Sequence, residues 1–253
     1  MMARRALVVG GRRGIGAAVV RALLLRGDAV TFTYRSDPED VATQVGLLRL
    51  VNPGADIETV PLDLADRAAV DAFAETVEAA PAYDTLVQVG GTTYDALAAV
   101  MDQTQAERAM QVNYFAFARI ARAAVRPMLR ARHGRIVAIG SVIGGLTASQ
   151  GNAAYAASKA ALLAYVRTLA IESAKRGITV NYIAPGLVDT EMMTPFAAHR
   201  AAVEGRVPAG RFATPDEIAA VAAFLTTPEA GYVNGAVIPV DGGLTAGVGL
   251  PRN

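Results

Sequence analysis

Residues 135–159 read Arg135-Ile-Val-Ala-Ile-Gly140-Ser141-Val-Ile-Gly-Gly-Leu-Thr-Ala-Ser149-Gln-Gly-Asn-Ala-Ala-Tyr155-Ala-Ala-Ser-Lys159. The apolar run 135–140 predicts a buried strand, and the Ala-rich run 153–175 predicts a helix. On a helix, Tyr155 and Lys159 lie on one face, one above the other. An ammonium beside a phenol favours phenolate. That makes the tyrosine a proton donor or acceptor near neutral pH. Ser141, at the strand's end, brings a hydroxyl to the same spot. A Tyr and a Lys at this spacing are more often ordinary surface and boundary residues. The trio gains meaning only if the rest of the chain supplies a cofactor and a pocket.

Outward from this stretch the chain alternates strand and helix. Strands are predicted at 6–9, 30–34, 57–61, 85–89, 135–140, 179–183 and 236–240. Helices are predicted at 17–26, 38–50, 66–79, 104–132 with an interruption at Pro127, 153–175, and from 214 onward. Gly27 stops the first helix. Asp37 reads as an N-cap before Pro38 at the first helical position. Thr214-Pro-Asp-Glu217 has the capping-box pattern. Residues 184–213 are less regular, and 244–253 carry no assignment. Such alternation predicts an α/β fold: one doubly wound, parallel, seven-stranded Rossmann-like domain over 1–253, with helices on both faces. Ligands are expected at the carboxyl ends of its strands.

Composition narrows the function classes. The 253 residues are 53% hydrophobic and 19% charged, which predicts a substantial core. A net charge of +1 argues against a nucleic-acid partner. The chain has no Cys, and its two His are His133 and His199, so thiolate chemistry, disulfides and a metal site are not expected. The apolar run near the start is too short for a signal peptide and meets glycines. No stretch is long enough to span a membrane, so no membrane partner is expected and the expected location is cytoplasmic.

Gly10-Gly-Arg12-Arg13-Gly14-Ile15-Gly16 joins the first strand to the first helix. Glycines there let the backbone turn tightly and approach a pyrophosphate at the helix N-terminus. The second strand ends in Tyr34-Arg35-Ser36, where an NAD-binding chain would carry an acidic residue. Arg12, Arg13 and Arg35 suit a 2′-phosphate, which points to NADPH. Asp63 either accepts a hydrogen bond from an adenine amino group or caps the helix that starts near Asp66.

Together these motifs resemble the short-chain dehydrogenase/reductase family from about Arg4 to Leu244. The elements stand in order: the glycine loop, Asp63-Leu64, Asn113, Ser141, Tyr155 with Lys159, Pro185-Gly186, and Val240-Asp-Gly-Gly243. The resemblance implies that Tyr155 exchanges the proton and that Lys159 lowers its pKa and holds the nicotinamide ribose. It implies that Ser141 bonds the substrate oxygen and that Asn113 holds a relay water. Thr190 would bond the carboxamide or cap the segment after it. Leu64, Gly90, Gly91, Pro185, Gly186 and Val188 would complete the cofactor site.

Val207-Pro-Ala-Gly-Arg-Phe-Ala-Thr-Pro-Asp-Glu and Tyr232-Val-Asn-Gly resemble bacterial 3-oxoacyl-[acyl-carrier-protein] reductases. The partner implied is an acyl carrier protein bearing a β-ketoacyl chain. It would dock on Arg132 and Arg176 outside the active-site mouth, and the enzyme would be a homotetramer pairing helices 104–132 and 153–175. Gln88-Val89-Gly90-Gly91 departs from the family's Asn-Asn-Ala-Gly, and Val9 from its Thr. The 141–155 loop is one residue longer than in the housekeeping reductases, with Ser149 as an alternative hydroxyl. These departures suggest specialised, polyketide-like or polyene chemistry. Met192, Met193 and Phe196 would line an acyl channel or pack the 184–213 segment onto the body.

Overall fold

The computed structural model describes residues 3–247, without the side chains of 195–197, so Phe196 lies outside the described side chains. Seven strands form one parallel sheet in the order β3-β2-β1-β4-β5-β6-β7. They are β1 Arg5–Val9, β2 Ala29–Tyr34, β3 Ile57–Pro61, β4 Thr85–Gln88, β5 Gly134–Ile139, β6 Ile178–Pro185 and β7 Val237–Val240. Central strands covered on both faces cannot alternate apolar and polar residues, and β5 and β6 are buried throughout. The register Gln88↔Ala138 and Ala138↔Tyr182 lines up the carboxyl ends of β4, β5 and β6. The strand order reverses at β1, which opens the crevice where a doubly wound sheet binds its ligand.

Among the described residues eight α-helices connect the strands: α1 Gly14–Leu25, α2 Pro38–Val51, α3 Arg67–Ala79, α4 Gln103–Met110, α5 Ala116–Ala131, α6 Ala153–Ser173, α7 Arg200–Glu204 and α8 Pro215–Leu225. Val19 and Leu23 of α1 pack with Ile218 and Leu225 of α8 on one face of the sheet. Phe73 of α3, Ile120 of α5 and Leu162 of α6 cover the other.

Several local expectations are corrected. α1 starts at Gly14, three residues before the predicted 17, so the helix N-terminus lies inside the glycine loop. The 104–132 helix is broken at a π-turn, Gln111–Phe115, and α5 continues through Pro127. Proline forfeits one intrahelical bond, and the buried Ala123, Ala124, Pro127 and Met128 hold the helix to the sheet regardless. Asp66, not Asp63, is the N-cap of α3 and accepts the Ala69 N–H at 3.1 Å. Asp37 sits at the N-cap of α2 at φ 62° but makes no side-chain cap bond. Its carboxylate pairs with Arg12 instead, at 2.8 Å. β6 runs on to Pro185, and residues 191–204 form a 3-10 segment, Glu191–His199, followed by α7. The capping box at Thr214 and Glu217 is present as expected.

Candidate active site

A cavity of about 590 Å³ opens at the carboxyl ends of β1, β2, β4, β5 and β6. Its floor is built by close backbone approach. A β-carbon on Gly16 would stand 1.9 Å from the Gly10 carbonyl oxygen, and one on Gly10 2.6 Å from the Gly90 nitrogen. Gly16 lets the loop after β1 fold onto itself, and Gly10 lets it lie against the loop after β4. The first turn of α1 has no side-chain cap and no acidic residue, so its amides and dipole are free for an anion. Gly10, Arg12, Arg13, Gly14, Ile15, Tyr34, Arg35, Ser36, Asp63, Leu64, Gly90, Gly91, Pro185, Gly186, Val188 and Thr190 all line the cavity. Gly16 is absent from that wall: it is buried and shapes the loop from behind. One Asp63 oxygen accepts the Ala65 N–H at 2.9 Å. With the helix capped by Asp66, the second oxygen is available to a ligand.

The sequence places three guanidiniums at a 2′-phosphate, and the structure distributes them differently. Arg12 is paired with Asp37 at 2.8 Å and Asp40 at 3.0 Å. Arg13 is paired with Glu191, which ties the glycine loop to the segment after β6. Arg35 is exposed on the cavity wall and makes no ion pair among the described residues. Of the three guanidiniums, Arg35 is thus the one without a carboxylate partner among the described residues, beside Ser36, whose hydroxyl donates to Asp37 at 3.2 Å.

Ser141, Tyr155 and Lys159 converge on the same cavity. The Ser141 hydroxyl oxygen accepts the Ile143 N–H at 3.1 Å, which leaves its proton to donate. The hydroxyl lies beside the Tyr155 phenol and favours its ionised form. Ser149 is exposed and lies off the cavity wall, so the longer loop does not displace Ser141. Lys159 is 4% exposed, and its Nζ donates to the Ile139 carbonyl at 3.3 Å and stands 5.7 Å from the Tyr155 ring centre.

The electrostatics differ from the expected direction. Burial pushes the Tyr155 phenol above its ordinary value; the Ser141 hydrogen bond pulls it back, and the Asp95 carboxylate pushes it up again. Burial also lowers Lys159 to about 8. A desolvated ammonium loses hydration that the single Ile139 carbonyl does not replace.

Asn113 sits in the π-turn, 1% exposed. Its amide nitrogen donates to the Thr92 carbonyl and to Ser158 Oγ, both at 2.9 Å, and its oxygen accepts the Thr92 N–H at 2.8 Å. The side chain clamps the loop that follows Gly91 and ties it to α6. π-turns mark such functional interruptions of a helix. Thr190 packs on the glycine loop, where a Gly14 β-carbon would meet its methyl at 3.1 Å. Its hydroxyl donates to Val188 O at 3.4 Å. Met192 and Met193 line the cavity.

Arg132 and Arg176 lie far from this mouth within one chain. Arg132 ends α5 at φ 56°, and Arg176 closes the 3-10 turn after α6, both before their strands begin. Tyr155 starts α6 and Arg176 follows its end, a span of roughly 30 Å at about 1.5 Å per residue.

Several residues around the site escaped the sequence reading. Gln88 Nε2 donates to the Gly90 carbonyl at 2.7 Å, supplying an amide next to Val89, which has none. Arg108 reaches the cavity wall from α4. Tyr182 holds the backbone of Ser141. No local pattern marks Arg108 or Tyr182, which act across elements distant in sequence, and the Gln88 bond spans two residues but depends on how the chain turns after β4. Among the described residues no cluster of three His, Cys, Asp or Glu is placed to hold a metal, and no helix is long and apolar enough to cross a membrane.

A family model described as enoyl-(acyl carrier protein) reductase matches residues 9–245. The 3-oxoacyl-[acyl-carrier-protein] reductase of Escherichia coli (strain K12) is 37% identical over 241 residues, covering 94% of this chain and 96% of that protein. Nodulation protein G of Rhizobium sp. (strain N33) is 36% identical over 243 residues, 95% of this chain and 96% of that one. A solved structure from Beutenbergia cavernae, described as a candidate NAD(P)-dependent gluconate 5-dehydrogenase with bound NADP, superposes with a TM-score of 0.90. It is 35% identical and covers 96% of this chain and 97% of its own.

Proposed function

The chain belongs to the short-chain dehydrogenase/reductase family, and from that premise we propose an NADPH-dependent ketoreductase acting on a β-ketoacyl thioester carried by an acyl carrier protein. The observation that carries the chemistry is the convergence of Ser141, Tyr155 and Lys159 on one cavity beside the glycine loop. The cradle fits a dinucleotide: its glycines admit no β-carbon, and the first turn of α1 is uncapped. Arg35 and Ser36 would take the 2′-phosphate and Asp63 the adenine amine. The Tyr155 and Lys159 side chains would face the nicotinamide ribose, and Thr190 its carboxamide.

When bound, NADPH would supply a hydride to the β-carbonyl carbon. Tyr155 gives its phenolic proton to the carbonyl oxygen, so the ketone becomes an alcohol and the phenol a phenolate. Ser141 donates its O–H to the same oxygen and stabilises the charge developing there. Lys159, charged below about 8, stabilises the phenolate, and Asn113 fixes the loop and helix that hold it.

Substrate class rests on likeness to the carrier-protein reductases. The structural likeness to a gluconate dehydrogenase keeps a second reading, a free polyol or small ketone. Steady-state assays of carrier-bound acetoacetyl thioester against gluconate and free ketones separate the two. The proposal expects kcat/KM for the carrier-bound thioester to lead by about two decades or more, a difference of roughly 3 kcal/mol in transition-state binding. Comparable values overturn the carrier-protein reading. Tyr155→Phe is expected to cut kcat by roughly 10²–10⁴-fold while NADPH still binds; unchanged turnover rejects the mechanism.

The implied homotetramer reconciles the two arginines with docking. A two-fold axis across α5 and α6 sets them antiparallel to the partner's. The Arg132 and Arg176 end of one subunit then approaches the Tyr155 end of the other. Phe115 and Ile171, 46% and 80% exposed beside these helices, are apolar surface that such pairing would cover.

A further inference from the structure

Tyr182 lies on β6, fully buried, and the proton-transfer chemistry makes no use of it. Its hydroxyl accepts the Ser141 N–H at 2.9 Å and donates to the Ser141 carbonyl at 3.2 Å. One phenol thus satisfies both backbone groups of one residue. The residues on either side need no such help: Gly140 N–H goes to Ile183 O at 2.8 Å and Val142 N–H to Pro185 O at 3.1 Å, extending the β5–β6 ladder. Backbone groups alternate in direction along a strand, so those of Ser141 face the β4 side. β4 stops at Gln88, opposite Ala138, and no strand edge reaches Ser141. The ring gets there by crossing Gly140. A β-carbon at 140 would lie 1.7 Å from Tyr182 Cζ and 2.0 Å from its oxygen. Glycine at 140 and tyrosine at 182 therefore form one device.

We propose that Tyr182 is a positioning residue for Ser141. Its hydroxyl fixes the Ser141 peptide at the end of β5 and so aims the Ser141 hydroxyl at the oxygen that Tyr155 protonates. The Ser141 side chain is held at both ends, by Ile143 N–H on its oxygen and by Tyr182 on its backbone. A buried N–H and C=O left without a partner would draw the peptide toward another arrangement. The inference rests on the reading of Ser141 as the hydroxyl that holds the substrate oxygen.

The test is a double-mutant cycle with kcat referred to NADPH-binding sites, so that unfolded protein does not count. Tyr182→Phe keeps the ring over Gly140 and removes only the hydroxyl; Tyr182→Leu removes both. Tyr182→Phe is expected to lower kcat about tenfold with KM for NADPH unchanged, because a donor displaced by even an ångström loses much of its effect. In a Ser141→Ala background the same substitution is expected to change kcat by less than about twofold, since the two residues act as one unit. Equal losses in both backgrounds overturn the proposal, as does a Tyr182→Phe enzyme with full kcat beside an impaired Tyr182→Leu, or one that no longer binds NADPH. Ser141→Ala keeps the two readings apart. If it alone leaves kcat unchanged, the role of Ser141 falls and the proposal with it. If it lowers kcat but Tyr182→Phe adds independently, only the proposal falls.

Discussion

Lys159 carries a charge out of water with a single carbonyl at 3.3 Å to receive it. Its shift from 10.5 to about 8 corresponds to roughly 3 kcal/mol against the charged form. In the unfolded chain the ammonium keeps its proton up to about 10.5. Between pH 8 and 10.5 the unfolded state binds more protons, so stability rises with pH across that window. Below pH 8 the full penalty opposes folding. Lys159→Met is therefore expected to stabilise the cofactor-free protein by roughly 1–3 kcal/mol at pH 7. Urea unfolding at pH 7 and pH 9.5 checks this: the advantage shrinks at the higher pH, and a variant less stable than the parent at pH 7 rejects it. The same titration sets catalysis. Reduction is expected to slow as pH rises through about 8 and Lys159 loses the charge that stabilises the phenolate. The pairing of Tyr155 with Lys159 was legible from four-residue spacing. The upward shift of Tyr155 was not, because burial is set by chain segments far from residue 155.

Elements place these residues, and their ends carry much of the placement. α1 begins inside the glycine loop without a cap, which leaves its amides for an anion. α8 begins the opposite way. Thr214 accepts the Glu217 N–H at 3.3 Å, and the Glu217 carboxylate accepts the Thr214 N–H at 2.7 Å. Arg211 beside it holds the Glu217 carboxyl well down, at about 2. Thr214→Ala removes one of the two reciprocal bonds and is expected to cost about 1 kcal/mol of stability, about 2–4 °C in Tm for a chain of this size. Calorimetry checks the loss, and kcat per site should not move because α8 only covers the sheet. The capping box was readable as four residues in a row. The π-turn at Asn113 was not, since Gln111–Phe115 looks like any helical stretch. Asn113 there bonds Thr92 and Ser158, partners that sequence periodicity does not report.

For the whole molecule, the parallel order β3-β2-β1-β4-β5-β6-β7 sends every loop that follows a strand to one end, and the helices that lead into the next strand, α5 and α6 among them, finish at the other. The cavity and the Arg132–Arg176 pair therefore lie at opposite ends of a single chain. The proposed carrier docking on this pair would therefore serve the mouth of a second subunit. Arg132→Glu with Arg176→Glu is expected to lower kcat/KM for a carrier-bound thioester about tenfold or more, while a small free β-keto ester is reduced as before. Equal effects on both substrates sink the docking surface.

The sequence by itself determined the strand–helix alternation, the glycine loop and the Tyr155–Lys159 face, because each is a local pattern of backbone preference and spacing. Tertiary structure alone decided the rest. It placed Asp37 and Asp40 on Arg12 and Glu191 on Arg13, leaving Arg35 as the open guanidinium. It set Tyr182, 41 residues away in sequence, against the Ser141 backbone through the gap at Gly140. Hydrogen bonds and burial depend on which strands become neighbours, and that is settled only when the sheet closes its register.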